Sequence, residues 1–125
     1  MKRLTHALVL SSTAAMFAFT SCDASAATIK ITCEKRANRS RVSVDGNDLP
    51  AGEYKARIIS GGKRKTAPLQ PTVGDEVEFD FDSATNEAGA VTISANFIED
   101  GKVVGKILDA QGRTVISDTE QCRVR

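Results

Sequence analysis

The chain predicts an all-β fold, a seven-stranded antiparallel-type two-sheet sandwich. Three observations carry that prediction. From Ala27 onward, apolar and polar residues alternate with period two, the pattern of a sheet with one buried and one wetted face. Turn-forming residues punctuate these runs at Asp45-Gly46-Asn47-Asp48, Gly61-Gly62, Asp100-Gly101 and Ala110-Gln111-Gly112. No stretch of ten or more residues in 27–125 has a convincing helical period. With 125 residues in all, the chain has room for one small domain, placed at 27–125.

Residues 1–26 read as a secretory signal peptide. Lys2 and Arg3 give a positive start, and Ala7 to Phe19 is uncharged and apolar or small. That run is shorter than the roughly 20 residues a membrane-spanning helix needs. Ala24-Ser25-Ala26 then supplies a small-x-small cleavage site, with Ala27 as the mature N-terminus. A second route stays open. Phe19-Thr20-Ser21-Cys22 resembles a bacterial lipobox, with Phe19 where Leu is usual. On that route the lipoprotein signal is 1–21 and a lipidated Cys22 becomes the mature N-terminus. Asp23 behind it resembles an inner-membrane retention signal. Both routes export the chain. The expected location is periplasmic or secreted, or lipid-anchored to the inner membrane, with membrane attachment only through Cys22.

The strands follow in order. The first is expected at 28–34, where Ile29, Ile31 and Cys33 alternate with Thr28, Lys30 and Thr32. The second is expected at 40–45 and the third at 53–60, closed by Gly61-Gly62. Pro68 and Pro71 keep 66–72 out of a central strand, because proline cannot donate to the ladder. The fourth is expected at 73–82, where Val77, Phe79 and Phe81 alternate with Glu76, Glu78, Asp80 and Asp82. The fifth, 90–98, has Val91, Ile93, Ala95 and Phe97 on one face. Asp100-Gly101 is a strong hairpin signal to a sixth strand at 102–109. The seventh is expected at 114–124. There Ile116, Cys122 and Val124 share a phase that Asp118 and Glu120 interrupt, and a bulge near 118–120 would reconcile them.

Leu49-Pro50-Ala51-Gly52-Glu53-Tyr54 resembles the Leu-Pro-x-Gly-x-Tyr lead-in to a strand in small exported bacterial immunoglobulin-like and transthyretin-like modules. The likeness covers those residues alone. It implies an Ig-like sandwich used as a scaffold or binding module. The chain has no tryptophan and lacks the antibody-type cysteine placement, so it is not an antibody-type domain.

Once the signal is processed, Cys33 and Cys122 remain, and an even pair in an exported chain reads as a disulfide. A topological argument agrees. If consecutive strands alternate in direction, the first and seventh run the same way, and both cysteines lie near the same end. They can meet if those strands lie side by side in parallel. An even number of passes would leave them roughly 20 Å apart, whereas a disulfide needs Cα atoms within about 7 Å.

Charge is segregated along the chain. Residues 27–65 carry ten basic and four acidic side chains, a net of +6, and residues 66–125 carry five basic and eleven acidic, a net of −6. The alternating path puts loops 35–39 and 61–72 at the cysteine end with the C-terminus. Lys35, Arg36, Arg39, Lys63, Arg64, Lys65, Arg123 and Arg125 there form a candidate anion-binding surface. Asp45, Asp48, Glu53, Asp82, Glu87 and Asp109 are expected at the opposite end. The partner this implies is an anionic envelope component or a protein. Nucleic acid is not expected, since the whole chain is near neutral and exposed stacking aromatics are lacking.

Catalytic equipment is sparse. The one histidine, His6, lies in the signal, which removes Ser–His–Asp and Cys–His arrangements. A bridged pair leaves no free thiolate, and there is no C-x-x-C or phosphate-binding glycine motif. No catalytic residue, cofactor or transition-metal site is expected. Asp80 and Asp82, two apart on one strand, give a calcium alternative. The expectation is a non-catalytic exported sandwich with a binding or structural role. The alternatives are a lipid-anchored envelope lipoprotein, a small inhibitor of an envelope-directed enzyme, and a calcium- or glycan-binding module.

Overall fold

The structure, a computed structural model, describes residues 26–125. The segment expected to be a signal peptide, through Ser25 and including Cys22, lies outside the described residues. Ten strands and no helix occur in that range: β1 (Thr28–Arg36), β2 (Arg39–Asn47), β3 (Glu53–Ser60), β4 (Lys63–Thr66), β5 (Gln70–Pro71), β6 (Val77–Asp82), β7 (Val91–Thr92), β8 (Lys102–Asp109), β9 (Thr114–Gln121) and β10 (Arg123–Val124). They form two sheets packed on one another. The first has the order β10-β1-β2-β6-β7, and the second β4-β3-β8-β9, with β5 pairing the lower part of β3.

Seven strands were expected, and ten are present, yet the chain still crosses the molecule seven times. Lys63–Thr66 returns antiparallel to β3, and Gln70–Pro71 continues down to pair Glu53–Tyr54. The fourth pass is therefore 63–71, a region expected to be loop. Pro71 sits there on a two-residue edge strand, where no ladder donor is required. The expected fourth strand shortens to β6, because residues 73–76 form a tight turn in which Val73 and Glu76 exchange backbone hydrogen bonds. β6 becomes the fifth pass and runs parallel to β1. The expected strand 90–98 shrinks to Val91–Thr92.

That shortening has a local cause. Ile93, Phe97 and Ile98 are all buried, but the backbone turns between them, with Phe97 N–H donating to the Ser94 carbonyl. Two buried serines hold the turning segment. The Ser40 hydroxyl donates to the Ala95 carbonyl at 2.7 Å, and the Ser60 hydroxyl accepts from Glu99 N–H at 2.7 Å. Asp100 and Gly101 follow with φ of 56° and 65°, the left-handed pair that a tight two-residue turn demands.

The core is the inward phase of both sheets: Ile31, Cys33, Val42, Val44, Val77, Phe79 and Phe81 from the first, and Tyr54, Ala56, Ile58, Val103 and Ile107 from the second. Gly105 lies in the middle of β8 for a steric reason. A Cβ there would stand 2.7 Å from Ile31 Cδ1, so the glycine is the socket that receives Ile31 from the facing sheet.

The expected seventh strand is broken at Cys122. β9 pairs β8 in the second sheet; then the chain crosses, and β10 pairs β1 in the first. β1 and β10 run parallel, Glu34 beside Arg123. Cys33 and Cys122 form the expected disulfide at that crossing, with Cα atoms 4.7 Å apart. The irregularity in β9 is not at 118–120. The ladder passes from Ile107–Ile116 to Leu108–Thr114, so Val115 is the extra residue. Asp118 and Glu120 keep the inward phase opposite Gly105 and Val103. They are tolerated because β9 is the edge of its sheet, where an inward position still meets water.

Candidate functional site: the charged faces of the sandwich

The eight cations expected at one end do lie at that end, but on two sheets. Lys35, Arg36, Arg39, Arg123 and Arg125 belong to the first sheet and its loops, while Lys63, Arg64 and Lys65 line the free edge of β4 in the second. Acids share this space. Arg39 forms a two-point contact with Asp82, at 3.0 Å from Nε and 2.7 Å from Nη2, and reaches Glu87 at 3.7 Å. Arg125 pairs Glu34 at 2.7 Å, Arg36 approaches the same carboxylate at 3.5 Å, and Lys63 pairs Glu99. Lys35, Arg64, Lys65 and Arg123 have no carboxylate partner among the described residues.

Asp82 and Glu87 were expected at the opposite end. They lie here because β6 occupies an upward pass, which puts Asp82 level with Arg41 and beside Arg39. The Asp82 side chain is 5% exposed. Arg39's hydrogen bonds, with Ala84 N–H donating at 2.9 Å, hold its carboxyl below the usual carboxylate range. Asp80, by contrast, is exposed, and no cluster of three or more metal-ligating side chains occurs among the described residues.

The outer face of the first sheet carries both signs in equal number, with an Arg36–Arg39 row at its upper end and Arg123 beside Glu34. Its rows across β1, β2 and β6 read Lys30–Asp45–Glu78, Thr32–Ser43–Asp80 and Glu34–Arg41–Asp82. A cleft of about 580 Å³ lies over it, floored by Thr32 and Ser43 and walled by Glu87–Ala90 on one side and Glu120–Arg123 on the other. Partial burial, then Glu78 and Asp80, push the Asp45 carboxyl up.

The outer face of the second sheet is predominantly cationic. Lys55 and Arg57 project from β3 between buried Tyr54, Ala56 and Ile58. Lys102 and Lys106 project from β8 between buried Val103, Gly105 and Ile107. Arg64 on β4 is level with Ile59, and Ile59 with Val104, so two half-buried apolar side chains lie among five cations. Glu53 is the carboxylate in phase with them on these strands, and β9 contributes uncharged Ser117, Thr119 and Gln121. Arg57 stands directly opposite Lys106 in the ladder. Its guanidinium Nε donates to Thr66 Oγ1 at 2.9 Å, and none of the five cations has a carboxylate within ion-pair distance among the described residues.

Sequence reasoning missed this face. Lys55, Arg57, Lys102 and Lys106 were legible as the polar half of two alternating strands. Their juxtaposition depends on the β3–β8 register, which joins residues about fifty positions apart. No family model, no curated protein and no solved structure matches the chain.

Proposed function

We propose that the chain is a non-catalytic, exported β-sandwich module of the bacterial envelope that binds an anionic component through a charged surface. The observation that supports this most is the Arg57–Lys106 pair. Like charges directly opposite on neighbouring strands destabilise a sheet. Here the pair is half-buried, has no ion-pair partner among the described residues, and is extended by Lys55, Arg64 and Lys102. A local rule broken without compensation is a mark of a surface kept for binding. Export is supported by the signal-like segment and by the disulfide, which persists in oxidising compartments. The Ig-like reading is supported by the two-sheet division of seven passes. The first, second and fifth passes make one sheet, and the third, fourth, sixth and seventh make the other; an immunoglobulin constant-type sandwich also divides seven strands four and three, but keeps the fourth with the first, second and fifth.

The test is retention on immobilised heparin, a generic polyanion. The module should be held at low salt and released by about 0.5 M salt, where the Debye length falls below about 5 Å. Elution in the flow-through at low ionic strength would refute the anion-binding reading.

A further inference from the structure

We infer that the cationic face of the second sheet docks on the headgroup surface of an anionic lipid bilayer. This rests on the reading of the chain as an anion-binding module, but adds both a surface and a partner. It also departs from the expectation that membrane contact requires a lipidated Cys22, because the face needs no acyl chain.

The geometry selects a plane rather than a pocket. The five cations spread over three strands, β4, β3 and β8, and do not converge on a cavity. Neighbouring strands are about 4.8 Å apart and same-face residues along a strand about 6.6 Å apart. The cations therefore cover a patch of headgroup dimensions. Ile59 and Val104 at its centre are short, half-buried side chains that can touch a headgroup layer without penetrating the acyl region.

The partition of charge between the sheets supplies orientation. The outer face of the first sheet carries Glu34, Asp45, Glu78, Asp80 and Asp82 against Lys30, Arg36, Arg39, Arg41 and Arg123, and this balance gives an anionic plane no net pull on it. One face is attracted and the opposite one is not, so the molecule settles in one attitude. A soluble polyanion could wrap either edge and has no use for that polarity. A protein partner would be expected to engage aromatic anchors, and the face has none. Lysines and arginines near an anionic leaflet each change partitioning by about fivefold.

The experiment uses the oxidised mature protein and sedimentation with phosphatidylglycerol–phosphatidylcholine vesicles, with pure phosphatidylcholine vesicles as control. Binding is expected to the anionic vesicles alone, and to vanish at high salt. Lys106→Glu changes the face by two charges, so it should weaken partitioning by roughly 25-fold. It should not lower the melting temperature, because it gives Arg57 an opposite charge across the ladder. Lys102→Glu, at an exposed position, should weaken binding in the same sense without touching the core. Lys65→Glu and Arg123→Glu, away from the face, should change it less than threefold. Equal binding by Lys106→Glu and Lys102→Glu, or loss confined to Lys65→Glu and Arg123→Glu, would overturn the assignment of this face. Heparin retention without vesicle binding would overturn the bilayer while leaving the anion-binding reading intact. Failure on both would end both.

Discussion

At the scale of single residues, Gly105 shows how closely the two sheets meet. Ile31 rests on its bare Cα, and a methyl group there would stand 2.7 Å from Ile31 Cδ1 and 3.5 Å from Val44 Cγ2. Both neighbours are buried branched side chains of the facing sheet, so the sheets must part or Ile31 must leave its rotamer. Gly105→Ala should destabilise the domain by about 1–3 kcal/mol in denaturant unfolding. A second residue-scale prediction concerns acid. Asp45 has a folded pKa raised above its ordinary value, by partial burial first and then by Glu78 and Asp80. The folded state therefore binds that proton more tightly than the unfolded state does. Stability from this site falls as pH rises through the window above about 3.8, the reverse of a salt-bridged carboxylate. Asp45→Asn should be more stable than the parent at pH 7, and the gain should disappear toward pH 3. Asp82 has the opposite sign. Its lowered pKa, set chiefly by Arg39, contributes stability at neutral pH that is lost as pH falls through the folded value.

At the scale of elements, β9 is an exposed edge strand of eight residues, long enough to template another chain. Its defence is Asp118 and Glu120, charges on the inward phase of an edge. Asp118→Val with Glu120→Val should leave the monomer folded but promote concentration-dependent association, read by light scattering. How much of this was legible follows from the same physics. β1, β2, β3 and β8 read directly, because each buries one face and keeps a clean alternation. β4 did not, because Lys-Arg-Lys-Thr at a sheet edge buries little and has no apolar phase to display. Val91 to Phe97 displayed a phase but not a strand, since the buried Ser40 and Ser60 hydroxyls, 39 to 55 residues away, hold the turning chain at Ala95 and Glu99. The cysteine pairing was legible because the number of passes stayed odd. The cationic face was not, because its members are neighbours only through a long-range register.

At the scale of the whole molecule, the division into halves of +6 and −6 along the sequence is rewoven by the fold. Bases of the first half meet acids of the second at Arg39–Asp82, Arg41–Asp82 and Lys63–Glu99. Glu34 of the first half meets Arg125 of the second. The residual asymmetry runs across the sandwich, from a cationic outer face on the second sheet to a charge-balanced one on the first. The disulfide ties the first strand to the last crossing over a separation of 89 residues. On the chain-entropy account a loop of that size contributes about 4–5 kcal/mol. Reduction should therefore lower the denaturant midpoint sharply, while the reduced protein without denaturant keeps nearly the oxidised protein's secondary structure, a comparison that circular dichroism with and without reductant makes directly.

The account stands on one premise, that the chain is an exported, oxidised module. The intact mass of the native protein, isolated from envelope fractions of its own cell, tests that premise most directly. The account predicts a chain beginning at Ala27, or at an acylated Cys22, and lighter by two hydrogens than the reduced form. A full-length chain beginning at Met1 with free thiols at Cys33 and Cys122 would contradict it.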